Sequence, residues 1–342
     1  MQMGQKAEFI KEKGGFSMKM KRVASLLLLS FIFSIFITGV AVAQAKDEDR
    51  FTVQLNIGAL GLFRQGNDNI PLVTDSFAPG GNELVNANDL NLSFAPGVDG
   101  SVWGRYRMFG LEFRYFGSFA LTSSADGGSA AGSVVQYQNP IGNTAFPGIV
   151  DADYNSMMNN FEANVRWWPI DRLSILAGFR YLMLNEDLTI QQDIGPGLNL
   201  ATHKIKTDNT LLGGQVGLEG TILRFKDAFF EGDELSFGGW AKGGYFNNNI
   251  KTDISITQLA GPTFSGSGSA NKGTFLGEGA VNVGYKITRN VAVDLRYQVL
   301  WIQNAGLAPE QVTNSDPLNG TASAKAQSVL YHGPWVGIVL SF

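Results

Sequence analysis

Apolar and polar positions alternate with a period of two along most of the chain. Phe51, Val53, Leu55, Ile57 and Ala59 alternate with Thr52, Gln54, Asn56 and Gly58. The pattern returns at 111–121, where Leu, Phe, Tyr, Gly, Phe and Leu interleave with Glu112, Arg114, Phe116, Ser118 and Ala120. It appears again at 160–167, at 291–301 and in the closing run Val336-Gly337-Ile338-Val339-Leu340-Ser341-Phe342. Such alternation turns successive side chains to opposite faces of a β-strand. A soluble sandwich alternates too, but over strands of about 5–6 residues. These runs extend over roughly ten residues or more, the length a tilted strand needs to cross a bilayer. Lipid cannot satisfy an open sheet edge, so membrane strands must close on themselves. The expected fold is all-β: a transmembrane, antiparallel, up-and-down β-barrel of about ten strands, within a range of roughly 8–12.

The ten strands are expected at 51–63, 92–107, 111–122, 156–167, 172–190, 201–222, 235–254, 272–286, 290–302 and 325–342. The intervening segments 64–91, 123–155, 255–271 and 303–324 are long and rich in Gly, Asn, Ser and Pro, whereas 108–110, 168–171 and 287–289 are short. That rhythm predicts short periplasmic turns and long extracellular loops, with both chain ends periplasmic. The segment 223–234 is longer than its side calls for, and 191–200 shorter. Gly333-Pro334 interrupts the last run, and proline lacks the ladder N–H, so a bulge is expected there. Trp167, Trp168, Tyr285 and Trp301 fall at strand ends, as an interfacial aromatic girdle would place them.

The first 43 residues read as a targeting segment. Lys19, Lys21 and Arg22 precede an apolar run from Val23 to Val40, and Ala41-Val42-Ala43 is a small-x-small cleavage signal, which puts the cut before Gln44. The rival is a retained anchor of nearly spanning length. Residues ahead of Met18 are polar and include Glu8 and Glu12, which makes Met18 or Met20 the expected start of translation. The mature barrel is then residues 44–342. Removing 1–43 takes away six Lys/Arg and two Asp/Glu and leaves 20 against 28, a net charge near −8. An acidic chain does not suit nucleic acid. The absence of cysteine excludes disulfides, thiolate metal sites and a lipidated N-terminus.

Asn160-Phe161-Glu162-Ala163-Asn164-Val165, the run Ala177–Glu186 (AGFRYLMLNE), the run Asn209–Gly217 (NTLLGGQVG) and Lys242-Gly243-Gly244-Tyr245-Phe246-Asn247 resemble segments of the planctomycete-type outer-membrane β-barrel porins, the beta barrel porin-7 family. With the strand pattern, the resemblance covers most of the mature chain. It implies an outer-membrane location and a porin-type barrel, and it carries no catalytic residue to transfer.

The polar faces hold Glu112, Arg114, Glu162, Arg166, Arg180, Glu186, Lys242, Asp294 and Arg296, joined by Glu219 and Glu278. In a closed barrel they line the lumen. They either pair into a plug or form a constriction that selects solutes. Eight strands give a lumen just filled by side chains and sixteen or more leave a channel, so ten lies near the filled end and points to a mostly occluded interior. The expected function is a porin-type barrel of the outer membrane, passing small solutes passively through a narrow charged lumen. The alternative is an occluded structural barrel, or one whose extracellular loops bind a ligand. Ten-stranded barrels also include proteases with carboxylate and histidine pairs at the rim. Asp151, Asp153 and His203 are the residues here that such a site would use, but His203 lies in Thr-His-Lys rather than Asp-x-His. The acidic stretch Asp227–Asp233 reads as solvated charge on a turn. No cofactor motif is present. The expected partners are outer-membrane lipid, small solutes and the barrel-assembly machinery, which reads the terminal Phe342.

Overall fold

The alternating runs fold as strands, and several run well beyond the bounds that alternation suggested. The computed structural model describes residues 51–65, 69–75, 81–92, 94–130, 132–138, 148–193, 199–259 and 261–342. The expected signal peptide and cleavage site lie outside the described residues.

The strands are β1 Phe51–Arg64, β2 Pro71–Thr74, β3 Glu83–Asn86, β4 Ala95–Tyr106, β5 Phe109–Ser118, β6 Leu121–Ala130, β7 Val134–Val135, β8 Gly148–Ile170, β9 Leu173–Asp193, β10 Asn199–Lys226, β11 Glu234–Gln258, β12 Phe264–Lys286, β13 Val291–Ala305 and β14 Gln327–Ser341. A short α-helix, α1, spans Ala308–Val312. All strand pairings are antiparallel. The ring runs β1, β4, β5, β8, β9, β10, β11, β12, β13, β14 and back to β1. β6 continues the stave begun by β5, pairing with the upper part of β8 after a shift in register across Phe119-Ala120. This is the ten-stave closed barrel expected from the alternation. The last residue helps seal it: Val53 N donates to Phe342 O at 3.1 Å, and Phe342 N to Val53 O at 2.9 Å.

The long connections depart from expectation. Much of 123–155 is strand, as β6 and the first part of β8, and within 255–271 the stretches 255–258 and 264–271 are strand, at the ends of β11 and β12. Alternation hid these extensions because their outward positions are polar and their inward ones small or apolar. The described parts of 64–91, and 303–324, are not free surface loops. The first contributes β2 and β3 to a small sheet in the order β3-β2-β7, and the second contributes α1, all five of whose residues are buried. No register shift occurs at Gly333-Pro334, which stay opposite Gln298 and Tyr297. The pairing with β1 merely lapses at Gly61-Leu62, and Gly333 is needed because any Cβ there would strike the carbonyl of Gly61.

The outer wall carries an apolar belt. On β10 the outward side chains from Leu212 to Ile222 are exposed wherever they are large, including Val216 and Leu218. Eleven residues rising about 3.3 Å each at a tilt of about 40° span roughly 25 Å, the height of a lipid-facing band. Aromatic residues edge it. Tyr106, Phe109, Trp167 and Phe342 lie toward the short turns, and Phe63, Tyr245, Phe275 and Trp301 lie toward the far end. Trp168 departs from its expected place: it points inward, buried beside Trp103 at 5.4 Å and under the Arg105 guanidinium at 4.9 Å.

Candidate functional site

The lumen is filled by successive layers of side chains, each built by inward positions of neighbouring staves. Nearest the short turns, Arg166 on β8 donates to Glu112 on β5 at 2.8 Å and to Glu219 on β10 at 2.6 Å. On the facing wall, Arg296 pairs with Asp294 at 3.2 Å and lies over the Trp335 ring at 4.3 Å.

The next layer sits at mid-height. Arg114 on β5 donates to Asp99 on β4 at 2.7 Å and to Glu278 on β12 at 2.8 Å. β5 and β12 stand five staves apart in either direction around the ring, so this ion pair spans the full diameter of the lumen. Glu162 is the shared acceptor. Arg180 reaches it at 2.7 Å, Lys242 at 2.8 Å and Gln215 at 2.8 Å, with Arg114 at 3.3 Å. Arg180 also donates to Glu278. The Trp240 ring lies beneath both Arg114 and Lys242, with cation–ring distances of 4.9 and 4.8 Å. Side chains of Glu162, Glu278 and Arg180 have no solvent exposure at all. Three cations thus meet three carboxylates, Asp99 being the third, in a dry layer. Buried charges of this kind persist only when paired and hydrogen-bonded, since desolvation of an unpaired ion costs several kcal/mol.

Above this lies an apolar layer that includes Leu60, Phe116, Leu182, Phe246, Leu276 and Leu300. A second polar cluster follows. Arg64 on β1 donates to Glu186 on β9 and to Tyr154 on β8, each at 2.7 Å, and the Tyr154 hydroxyl donates to Glu186 at 2.5 Å. Glu186 also accepts the Ala308 amide at 2.8 Å, the first turn of α1. Asn209 grips Gly306 from both sides: its Nδ2 donates to the carbonyl at 2.7 Å, and its Oδ1 accepts the amide at 2.7 Å. These bonds fasten the 306–312 segment inside the barrel mouth.

The topmost layer is apolar. Val150, Ala152, Leu188, Ile190, Ile205, Ile254 and Ile256 line the inner wall of β8–β11 and pack on Leu72, Val73, Val85, Leu90, Val135, Ala308 and Val312 from the inserted segments. Outward positions of β9–β11 at this height are polar: Asp187 and Gln191 on β9, Lys204 and Lys206 on β10, Lys251 and Asp253 on β11. The wall here therefore stands in water, beyond the belt.

Of the nine lumen charges expected from sequence, eight fall in the two lower ionic layers. Glu186 lies apart, in the upper cluster with Arg64. Asp99 and Arg64 were missed, one because it is flanked by Gly97-Val98 and Gly100, the other because it closes its strand. Both lie on the inward parity of their strands, the signal by which they were findable. At the rim, the sequence pairing dissolves. His203 points inward and is buried, its ring within 3.2 Å of the Tyr137 hydroxyl and of Gln192 Oε1. Burial pushes its pKa down to about 4. Asp151 and Asp153 point outward on β8, on the opposite face of the wall. Partial burial, then the neighbouring Asp126, Asp193 and Asp153, raise the Asp151 carboxyl. His332 sits outside, against Tyr297 at 2.7 Å and stacked on Phe63. Among the described residues neither histidine has a carboxylate partner, and no group of three His, Asp or Glu is placed to hold a metal.

A closed antiparallel barrel with an aromatic-edged apolar belt is an outer-membrane β-barrel protein. The chain belongs to the family described as Putative beta barrel porin-7 (BBP7), whose pattern matches residues 55–328. No curated protein sequence matches it. Among solved structures it is similar to the outer membrane protease OmpT from Escherichia coli, at 12% identity and a TM-score of 0.50, covering 88% of this chain and 100% of that one. The translocator domain of autotransporter NalP from Neisseria meningitidis matches at 11% identity and a TM-score of 0.34, covering 93% and 98%. A Pseudomonas aeruginosa FadL homologue matches at 10% and 0.29, covering 85% and 89%. The likeness to OmpT is one of fold. Outer-membrane location follows from the family and the barrel.

Proposed function

We propose that this protein is a passive, non-enzymatic outer-membrane barrel that stands shut in this conformation. Small solutes pass its charged lumen only when the ionic layer and the inserted segments move apart. The observation that carries this reading is the buried Arg114–Glu278 pair, which joins opposite walls across the lumen. Membership of a porin family supports solute passage as the function of the opened state. The terminal Phe342, bonded to Val53 at the seam, fits a role as the feature the assembly machinery reads.

Single-channel recording on refolded residues 44–342 in a planar bilayer tests the proposal, with heat-modifiable gel mobility as proof of folding. The folded wild type gives no steady conductance, and Arg114→Ala combined with Glu278→Ala gives a leak. Large steady steps from the wild type would refute the shut state. A double variant that folds yet stays silent would refute the ionic layer as the barrier.

A further inference from the structure

The turn joining β10 to β11 is built to hold two phenylalanines outside the barrel. It lies at the end with the short turns, which is periplasmic in outer-membrane barrels. The extra residue of a bulge at Ile222 and Leu223 interrupts the pairing of β10 with β11. A bulge resets which face the following residues present. Leu223 and Phe225 therefore face outward, and Arg224 instead pairs with Glu234 at 3.1 Å. Phe225 meets Phe237 edge to face at 6.2 Å. The turn itself is closed by side-chain hydrogen bonds. The Asp233 carboxylate accepts the amides of Ala228 at 2.6 Å and Phe230 at 2.9 Å and the Tyr285 hydroxyl at 2.8 Å. Asp227 and Gly232 take left-handed φ of 53° and 86°, and the Asp227 carboxylate accepts the Gly232 amide at 2.7 Å. Asp233 is thus the brace of the turn rather than a solvated charge.

This bracing presents Phe229 and Phe230 at 68% and 74% exposure. Phe229 stands edge-on to Tyr285 at 5.7 Å, and Tyr285 belongs to the outward face of β12, with Val281 and Val283. The patch is therefore continuous with the lipid-facing belt and extends it past the barrel's end. Charged Lys226, Asp227 and Glu231 flank it. An apolar tip rimmed by charge is the pattern of a segment seated at the headgroup boundary.

We infer that this turn is a membrane anchor, inserting Phe229 and Phe230 into the interface of the periplasmic leaflet. Its partner is phospholipid, bound without regard to headgroup. The chain has no cysteine, so one introduced thiol carries a single probe. Protein with F230C, labelled with an environment-sensitive fluorophore and reconstituted in pure phosphatidylcholine vesicles, is compared with R289C in the neighbouring turn, an exposed position. Anchoring predicts blue-shifted emission at 230, several-fold weaker quenching by aqueous iodide than at 289, and strong quenching by a spin label near the lipid headgroup. The same measurement at F229C gives a second reading should one variant misfold. Equal iodide quenching at 230 and 289 in folded protein overturns the proposal. Protection that appears only in native outer membranes overturns it too, and assigns the patch to another envelope component.

Discussion

Within the belt, the outward side chains of β9 are Ala177, Phe179, Tyr181 and Met183, and Arg180 points in; above the belt, the outward ones are Asn185, Asp187, Thr189 and Gln191, while Leu188 and Ile190 point in. The same strand, with unbroken period-two alternation, exchanges the chemistry of its two faces. The solvent outside makes the difference. Lipid favours apolar side chains and leaves the lumen to hold what is polar, whereas water favours polar side chains and leaves the interior free to form an ordinary hydrophobic core. The upper region is therefore a soluble β-protein core, completed by β2, β3, β7 and α1, on top of a membrane barrel whose lower lumen is filled by ion-paired side chains.

Four measurements break or sharpen this contrast. The largest effect is expected in the lower region. Glu162→Ala leaves Arg180 and Lys242 without their shared carboxylate, and uncompensated buried charge costs about 3–5 kcal/mol, read as a lower urea midpoint of the heat-modifiable form. Next comes a pair that tests where the two solvents meet. Phe179→Lys puts a charge into lipid and costs about 2–4 kcal/mol, whereas Thr189→Lys, ten residues on in the same strand and face, costs within about 0.5 kcal/mol. Equal costs would place the upper wall in the membrane.

The third uses pH against the upper region alone. His203 titrates near 4 when folded, because burial disfavours its charged form, and near 6.5 when released. The folded state binds fewer protons in that interval, so stability is full above about pH 6.5 and falls as pH drops toward 4, by at most about 3 kcal/mol. Proteolysis around 132–138 should rise over that window, and His203→Phe should remove the dependence, since Tyr137 and Gln192 are held by the ring. The smallest effect is local. Asn209→Ala strands the buried amide and carbonyl of Gly306, costing about 1–3 kcal/mol, and amide exchange of 306–312 should quicken while the belt strands keep their protection.

The ten staves and the lipid-facing parity of β1, β5, β8, β13 and β14 were legible in the sequence, because alternation between Phe, Val or Leu and polar residues is a local property of each strand. So were most of the lumen charges, which sit on the opposite parity. The upper extensions were not. Asp151-Ala152-Asp153-Tyr154 has polar residues on the outward parity and small or aromatic ones inward, which resembles a loop to any reading that assumes a single polar face. The Asp151, Asp153 and His203 grouping failed for a related reason: nearness to one rim does not say which side of the wall a residue takes.

By itself, the order of residues determined the class of fold, the membrane habitat and the identity of the charged side chains, since each follows from a period of two and from lipid's inability to solvate an open edge. Only the tertiary structure decided that those charges meet across the lumen. Arg114 and Glu278 are 164 positions apart, and closure of the ring brings them to 2.8 Å. It decided equally that the described parts of 64–91, with 303–324, turn inward. Their apolar residues carry no strand period, and what buries them is the inner wall of β8–β11, a surface that exists only once the barrel has closed.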